Sequence, residues 1–222
     1  MLHKLHKSTL VTLGLWLAAL VASTCIPLAA LSGSFRFILS GINIVLPIAG
    51  GLFGLGIVCS LVSSLWIFKL LFVGLPITIG IPSAFAMLSW GASTQKNRIS
   101  HALNFIVNVL IPAACMAIFM LHPASSAAWP YALYWLIPIA IWASNRTNNS
   151  LLIALQSTFI AHAVGSIMWV FLVPMTSSQW IALIAVVAVE RCGIALLATG
   201  LYKFILAASA RIAQKPATTT QV

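Results

Sequence analysis

The chain consists of long apolar runs that are separated by short polar segments. The last long run, from Trp180 to Ala208, contains Glu190, the only acidic residue of the sequence, followed directly by Arg191. Apolar runs of about 20 residues match the hydrocarbon core of a bilayer, where every backbone polar group must find its partner within the protein. The sequence therefore predicts an all-α fold, namely a polytopic integral membrane bundle of helices.

The composition agrees with a membrane protein and argues against other classes. The chain is 62% hydrophobic and 5% charged, whereas an average soluble domain has about 25% charged residues. The formal charge of +10 comes from 11 Lys and Arg against one acid. These basic residues fall between the apolar runs and do not form the clusters of a nucleic-acid site. We therefore expect the lipid bilayer to surround the chain, and no nucleic-acid partner.

Basic and uncharged loops alternate in the second half of the chain. Residues 92–100 contain Lys96 and Arg98, and residues 145–149 contain Arg146, whereas residues 122–128 and 175–179 contain no charged side chain. Loops rich in Lys and Arg stay on the cytoplasmic side. This pattern predicts a multi-pass protein of the cell (inner) membrane with a cytoplasmic C-terminus. Residues 1–210 would form one transmembrane domain and residues 211–222 a polar cytoplasmic tail.

The number of passes depends on the region before Ala92. Lys4 and Lys7 favour a cytoplasmic N-terminus, which requires an even number of passes before the basic loop. The apolar sequence instead divides into three spans, which are Ser8–Leu31, Phe37–Trp66 and Leu70–Trp90. We expect about six transmembrane helices, with Phe37–Gly91 making one pass plus a re-entrant element. Eight helices, with three short passes in Phe37–Gly91, or seven helices, with an external N-terminus, stay open.

Two stretches in this region are poor candidates for plain helix interiors. Gly50–Gly56 contains four glycines, and Gly74–Ser83 contains two prolines six residues apart. The first is expected to be a break, a tight helix contact or a re-entrant turn. The second is expected to be kinked or unwound, because proline removes a backbone donor, and unwound backbone at membrane depth commonly lines a cavity.

Glu190 and Arg191 are the strongest candidates for a functional site. Charged residues in hydrocarbon are costly and usually face a bundle interior or a wet cavity with a partner. Neighbours in a helix point about 100° apart, so we expect each to pair with another helix, with His162, Arg146 or Asn108 as candidates for Glu190. Arg191 has no second acid available and suits a ligand carboxylate or phosphate. The alternative is a structural network between helices.

Two other helices carry polar residues at helical spacing, so each set shares one face. The first set is His101, Asn104 and Asn108, and the second is Thr158, His162 and Ser166. Either set is suited to hydrogen-bond a polar ligand, and the alternative is hydrogen bonding to neighbouring helices.

Aromatic residues cluster in Trp129–Trp135, beside an uncharged loop. An interfacial aromatic belt explains this pattern. A stacking wall for a ligand that includes Trp135 is the sharper hypothesis.

Catalytic and cofactor motifs are absent from the sequence. One acid excludes a paired-carboxylate mechanism, and neither a Walker nor a dinucleotide-binding pattern occurs. The four cysteines are widely spaced in apolar segments and are expected to be buried core residues. A second mid-span histidine for haem is missing. We therefore expect no enzyme, no catalytic residue, no metal and no cofactor, and any use of ATP would need another subunit.

Two short motifs add a family resemblance. The chain has a pair of small residues, Ala18-x-x-x-Ala22, on its first helix, and the stretch Gly74-Leu75-Pro76-Ile77-Thr78. In size and architecture it resembles the substrate-binding S component of energy-coupling-factor (ECF) type transporters. In that family six helices enclose a vitamin near the outer side, and small residues of the first helix contact a transmembrane coupling subunit. The resemblance implies a coupling subunit and ATPases as partners.

The sequence thus predicts an integral membrane solute-binding or transport protein, the substrate-capture subunit of a small-molecule (vitamin-like) uptake system. The alternative is a non-catalytic structural or assembly subunit of a membrane complex. The predicted substrate-binding residues are Glu190, Arg191, His162, Asn104, Asn108 and Trp135.

Overall fold

The computed structural model describes residues 2–24, 27–32, 35–68, 80–95, 97–145 and 148–214. The chain is a bundle of helices, as predicted, and a short hairpin follows the first helix. The α-helices are α1 (Leu2–Thr24), α2 (Ile42–Phe68), α3 (Ile81–Thr94), α4 (Arg98–Phe105), α5 (Ile111–Leu121), α6 (Trp129–Ala132), α7 (Leu136–Ala143), α8 (Ser150–Leu172) and α9 (Ser177–Gln214). A π-helical turn, Ile106–Leu110, joins α4 to α5, and the 3-10 turn Leu133–Trp135 joins α6 to α7.

The hairpin consists of β1 (Pro27–Ser32) and β2 (Phe35–Ser40), which pair antiparallel with Ser32 opposite Phe35. The predicted first span, Ser8–Leu31, is therefore wrong at its C-terminal end, because α1 ends at Thr24. The apolar character of the sequence continues from the helix into the strand, so hydropathy does not mark the change of structure.

Four helical segments in the described part of the chain are long and apolar enough to span a bilayer. They are Asn43–Ser60, Arg98–Leu121, Ser150–Leu172 and Ser177–Ile212. A shorter apolar helix covers Thr9–Ser23. The structure therefore supports a multi-pass membrane protein, and the finer expectation of six transmembrane helices is not shown. Helix α9 continues to Gln214, past the predicted start of the polar tail at residue 211; residues 215–222 lie outside the described residues.

The glycine-rich stretch forms both a tight helix contact and a break. A Cβ atom at Gly50 would collide with the Met87 carbonyl oxygen, and one at Gly51 would collide with the Trp90 ring, so the absence of side chains lets α2 and α3 approach closely. Gly54 has φ 77° and ψ 171°, which interrupts the helical geometry of α2. Two of the three predicted alternatives for this stretch are thus present at neighbouring glycines.

Helices α2 and α3 run in the same direction. Near their starts, the Ser83 hydroxyl donates to Asn43 Oδ1 at 3.5 Å. Farther along, Gly50 lies against Met87, and Gly54 lies against the Gln95 side chain. Within the described part of the predicted span from Leu70, the helix begins at Ile81, and residues 69–79 lie outside the described residues.

Both ends of the chain lie at the same end of the bundle. The Thr12 hydroxyl of α1 donates to Ser209 Oγ of α9 at 2.9 Å, whereas α1 reaches the start of α2 at its other end, where Ser23 lies against Gly41.

Asparagine side chains start two of the long helical segments. Asn97 accepts a hydrogen bond from the Ser100 amide at 2.7 Å, and Asn149 accepts from the Leu151 amide at 2.9 Å. Such N-caps satisfy backbone donors that have no partner within the helix. The two caps fix α4 and α8 at the same end of the bundle, opposite the turn between α8 and α9.

Candidate functional site

A cavity of about 430 Å³ lies between four helices of the bundle. The starts of α2 and α3 form one side, with Asn43, Pro82 and Ser83, and the second half of α8 with the first half of α9 forms the other. Tyr131 of α6 completes the wall. This volume is within the range of about 300–1,000 Å³ that is typical of small-molecule sites.

Glu190 and Arg191 both line this cavity. At a rise of about 1.5 Å per residue, Glu190 is about 20 Å along α9 from its first residue, Ser177. Both charges belong to Ser177–Ile212, a segment that is long and apolar enough to span a bilayer.

The two charged residues pair with each other, which corrects the expectation that adjacent residues must find partners on other helices. Arg191 Nη2 lies 2.8 Å from Glu190 Oε1, with side-chain exposures of 14% and 9%. The arginine side chain is long enough to fold back over the angle between neighbouring positions. Thr158 Oγ1 of α8 accepts a weaker hydrogen bond from Arg191 Nη1 at 3.5 Å.

One hydrogen-bond donor of Arg191, its Nε–H, is unused within the described structure. Its Nε atom is buried and has no hydrogen-bond partner among the described residues. The guanidinium has five donors and is always charged. The ion pair with Glu190 therefore leaves Arg191 able to bind a further acceptor.

His162 lies on the same side of the cavity and is 7% exposed. Its ring is held by the aromatic rings of Tyr131, at 5.2 Å between centroids, and of Phe159, at 6.3 Å. Its Nε2 atom is buried without a hydrogen-bond partner in the described part of the chain. Thr158, His162, Glu190 and Arg191 are named here the cavity cluster.

Aromatic residues of three helices line the cavity beside this cluster. Tyr131 of α6 forms a hydrogen bond of 3.2 Å with the Ser166 hydroxyl of α8. Trp169 of α8 and Trp180 of α9 also line the wall. The buried Nε1 of Trp180 has no partner within the described residues. Tyr131 and Trp180 were not predicted as site residues, because an interfacial aromatic belt gives the same sequence signal.

Trp135 is buried behind the cavity and does not line it. Its ring centroid is 6.2 Å from that of Tyr131 and 6.4 Å from that of His162. The predicted stacking wall therefore includes Tyr131, and Trp135 supports the residues that face the cavity.

Asn104 and Asn108 lie outside the cavity wall and form a separate network. Asn108 donates through Nδ2 to Asn104 Oδ1, and the Ser89 hydroxyl of α3 donates to Asn108 Oδ1, both at 2.6 Å. Ser89, Asn104 and Asn108 are named here the asparagine cluster. The structure thus places the two asparagines apart from Glu190, Arg191 and His162, in the alternative role of cross-helix hydrogen bonding.

The start of α3 faces the cavity and carries no side-chain cap. Gly80 precedes the helix with φ 106°, and Pro82 occupies its first turn. The first backbone amides of a helix have no partner within it and carry partial positive charge. Part of the predicted broken stretch Gly74–Ser83 therefore does line a cavity, and it offers donors there.

The three cysteines that the structure describes do not line the cavity. Cys115 is buried, as predicted, whereas Cys59 and Cys192 are exposed, so that part of the prediction is wrong. Cys25 lies outside the described residues. His162 and Glu190 are the cavity side chains of types that bind metals, and Arg191 already engages Glu190. The arrangement is therefore suited to hydrogen bonding with an organic ligand.

No known protein family, characterised protein or solved structure gives a significant match to this chain.

Proposed function

We propose that this chain is an integral membrane solute-binding protein, the substrate-capture subunit of a small-molecule uptake system. The observation that carries the proposal is the polar side of the cavity, where His162 Nε2, Trp180 Nε1 and Arg191 Nε are buried without a partner in the described structure. An unsatisfied buried polar atom costs about 1–3 kcal/mol. These nitrogens belong to residues of the cavity wall, so a ligand could provide their partners if the side chains turn toward it on binding.

The loops at the two ends of the bundle support binding from the non-cytoplasmic side. The loops at the end of the bundle nearer the cavity, residues 122–128 and 173–176, contain no charged residue. The loops at the opposite end contain Lys96, Arg98 and Arg146. Because positive loops stay inside, we place the cavity toward the outer face of the cell membrane and the C-terminus in the cytoplasm.

The cavity favours binding over catalysis. Its only carboxylate is held by Arg191, and its hydroxyl groups on Tyr131 and Ser166 bond to each other. Neither arrangement gives an activated nucleophile next to a general base. We therefore propose that the ligand leaves the cavity chemically unchanged.

The outward face of α1 supports a partner within the membrane. Ala18 and Ala22 are both exposed, and Gly14, one turn earlier, has open space where a side chain would stand. Small residues at this spacing let a second helix approach closely. We propose a transmembrane coupling subunit with its ATPases as the occupant of this face, as the ECF resemblance implies.

The same face favours a second candidate function, that of a structural or assembly subunit. In that case the function of the chain would be to bind a partner helix at α1, and the cavity cluster would stabilise the packing of the bundle. The two functions differ in what remains bound after purification in mild detergent.

The test is a mass spectrum of small molecules that are retained on the purified protein. The wild type is expected to retain one compound in stoichiometric amount, and the variant Glu190→Gln/Arg191→Gln to lose it. Arg211→Gln, an exposed position near the C-terminal end of α9, is the control and should retain it. A folded wild type that carries a stoichiometric protein partner and no small molecule would contradict the proposal and favour the assembly function.

A further inference from the structure

We infer that the ligand of this cavity carries no net charge, and that it presents hydrogen-bond acceptors to Arg191 and Trp180 together with a donor to Glu190. The inference rests on the proposed function, since it names the chemical class of the substrate for that same cavity. It follows from the charge balance of the cavity and from the chemistry of its buried unpaired atoms.

The formal charges of the described cavity wall sum to zero. Arg191 and Glu190 neutralise each other across 2.8 Å, and the other side chains of the wall carry no permanent charge. An ion that enters such a site gives up its hydration without gaining an unpaired counter-charge, which is costly at low dielectric. A neutral or internally balanced ligand avoids that cost.

The unpaired nitrogens of Arg191 and Trp180 predict hydrogen-bond acceptors on the ligand. Arg191 Nε and Trp180 Nε1 are donors only, and both are buried without a partner in the described structure. The uncapped start of α3 adds backbone donors on the opposite wall. Because Glu190 already supplies the negative charge next to Arg191, a carbonyl or ring nitrogen suits these donors, and a full anion is not required.

The Glu190 carboxylate predicts a hydrogen-bond donor on the ligand. A carboxylate has about four acceptor positions, and the ion pair with Arg191 uses Oε1. A ligand N–H or O–H close to its carbonyl group can therefore meet Glu190 while the carbonyl meets Arg191. Trp169 and Tyr131 provide flat aromatic surfaces in the same cavity. The ligand class is thus a neutral aromatic or heteroaromatic compound with an amide-like edge.

Three probes of equal size and different charge test this inference. They are benzamide, benzoate and benzamidinium, measured by saturation-transfer NMR on the full chain in lipid nanodiscs. The variant Ala161→Trp, which fills the cavity from α8, gives the background from probe dissolved in lipid. Above that background, the wild type should bind benzamide about tenfold more tightly than either ion.

Single charge substitutions should reverse this preference. In Glu190→Gln, Arg191 is left without its anion, so benzoate should bind more tightly than benzamide. In Arg191→Gln, benzamidinium should become the preferred probe. The double variant Glu190→Gln/Arg191→Gln restores neutrality but removes the groups that meet the ligand, so it should lose benzamide binding and gain no preference for either ion. A double variant that prefers benzoate or benzamidinium would overturn the inference even if a single variant does not fold.

The outcomes separate this inference from the proposed function. Wild-type protein that binds benzoate or benzamidinium as tightly as benzamide overturns the inference and leaves solute binding in place. Folded wild type that binds none of the three above the Ala161→Trp background overturns both. A natural ligand with a net charge, recovered from the purified protein, also overturns the inference alone.

Discussion

Two groups of polar side chains lie inside the helical bundle, and they differ in how their hydrogen-bonding capacity is used. In the asparagine cluster, Asn108 is completely buried and bonds to both Ser89 and Asn104 within the protein. In the cavity cluster, His162 and Arg191 each keep a buried nitrogen without a partner in the described structure. The first group completes its own bonding, whereas the second leaves two buried nitrogens without a partner in the wall of a cavity.

The difference separates structure from function more clearly than polarity does. Both groups consist of residues that are rare in hydrocarbon, and both have helical spacing. Satisfied polar groups hold helices in register, and unsatisfied ones have a cost that a ligand can remove. Substitutions in the two groups should therefore affect different quantities.

The largest effect is expected when the ion pair is broken on one side only. Arg191→Ala leaves Glu190 buried and unpaired, which should lower the free energy of unfolding by about 3–5 kcal/mol. Thermal unfolding in mild detergent measures this change. The variant Glu190→Gln/Arg191→Gln should recover most of the stability but not ligand binding; a double variant as unstable as the single one would contradict the charge-pair explanation.

A smaller loss of stability is expected in the asparagine cluster. Asn108→Leu leaves the Ser89 hydroxyl and Asn104 without their partner, at a cost of about 1–3 kcal/mol, and should not change ligand affinity per folded molecule. The variant Ser89→Ala/Asn104→Leu/Asn108→Leu removes all partners together and should be close to wild type in stability. Weaker probe binding by folded Asn108→Leu would assign this cluster to the ligand site after all.

The opposite pattern is expected for His162. His162→Phe keeps a ring against Tyr131 and Phe159 but removes the unpaired nitrogen. Stability should change by less than about 1 kcal/mol, while benzamide affinity should fall by up to about tenfold, the value of one neutral hydrogen bond. A large loss of stability with unchanged affinity would make His162 a structural residue.

The smallest effect is expected at Trp135, whose Nε1 is also buried without a partner in the described residues. Trp135 does not line the cavity, so Trp135→Phe should leave probe affinity unchanged and alter stability by less than about 1 kcal/mol. Unfolding stability and benzamide affinity are measured, as for His162. Weakened binding would show that an unpaired atom affects the ligand without facing the cavity.

The sequence predicts the second half of the fold well. Long apolar runs between polar loops locate α8 and α9, whereas the asparagine caps of α4 and α8 are seen only in the structure. The first half is harder, because apolar character is shared by α1, the hairpin and α2. Hydropathy reports the surroundings of a residue and not its backbone geometry, so the parallel course of α2 and α3 has no signal in it.

Sequence prediction of the candidate site is limited in a similar way. Glu190, Arg191 and His162 attract attention because such residues are rare in membrane spans, and all three do line one cavity. Helical spacing also places Asn104 and Asn108 on one face, but it does not tell which neighbour that face meets. Only the packing of α4 against α3 shows that Ser89 is the partner.

The close contact of α2 with α3 has a mechanical consequence for the cavity. With no side chain at Gly50 or Gly51, the two backbones lie directly against each other, and Gly91 completes the contact from the other helix. At Gly50 no side chain separates the two helices, so sliding of one past the other would break a direct backbone contact. The wall that carries Asn43 and Ser83 is thus expected to move as one unit when a ligand enters the cavity.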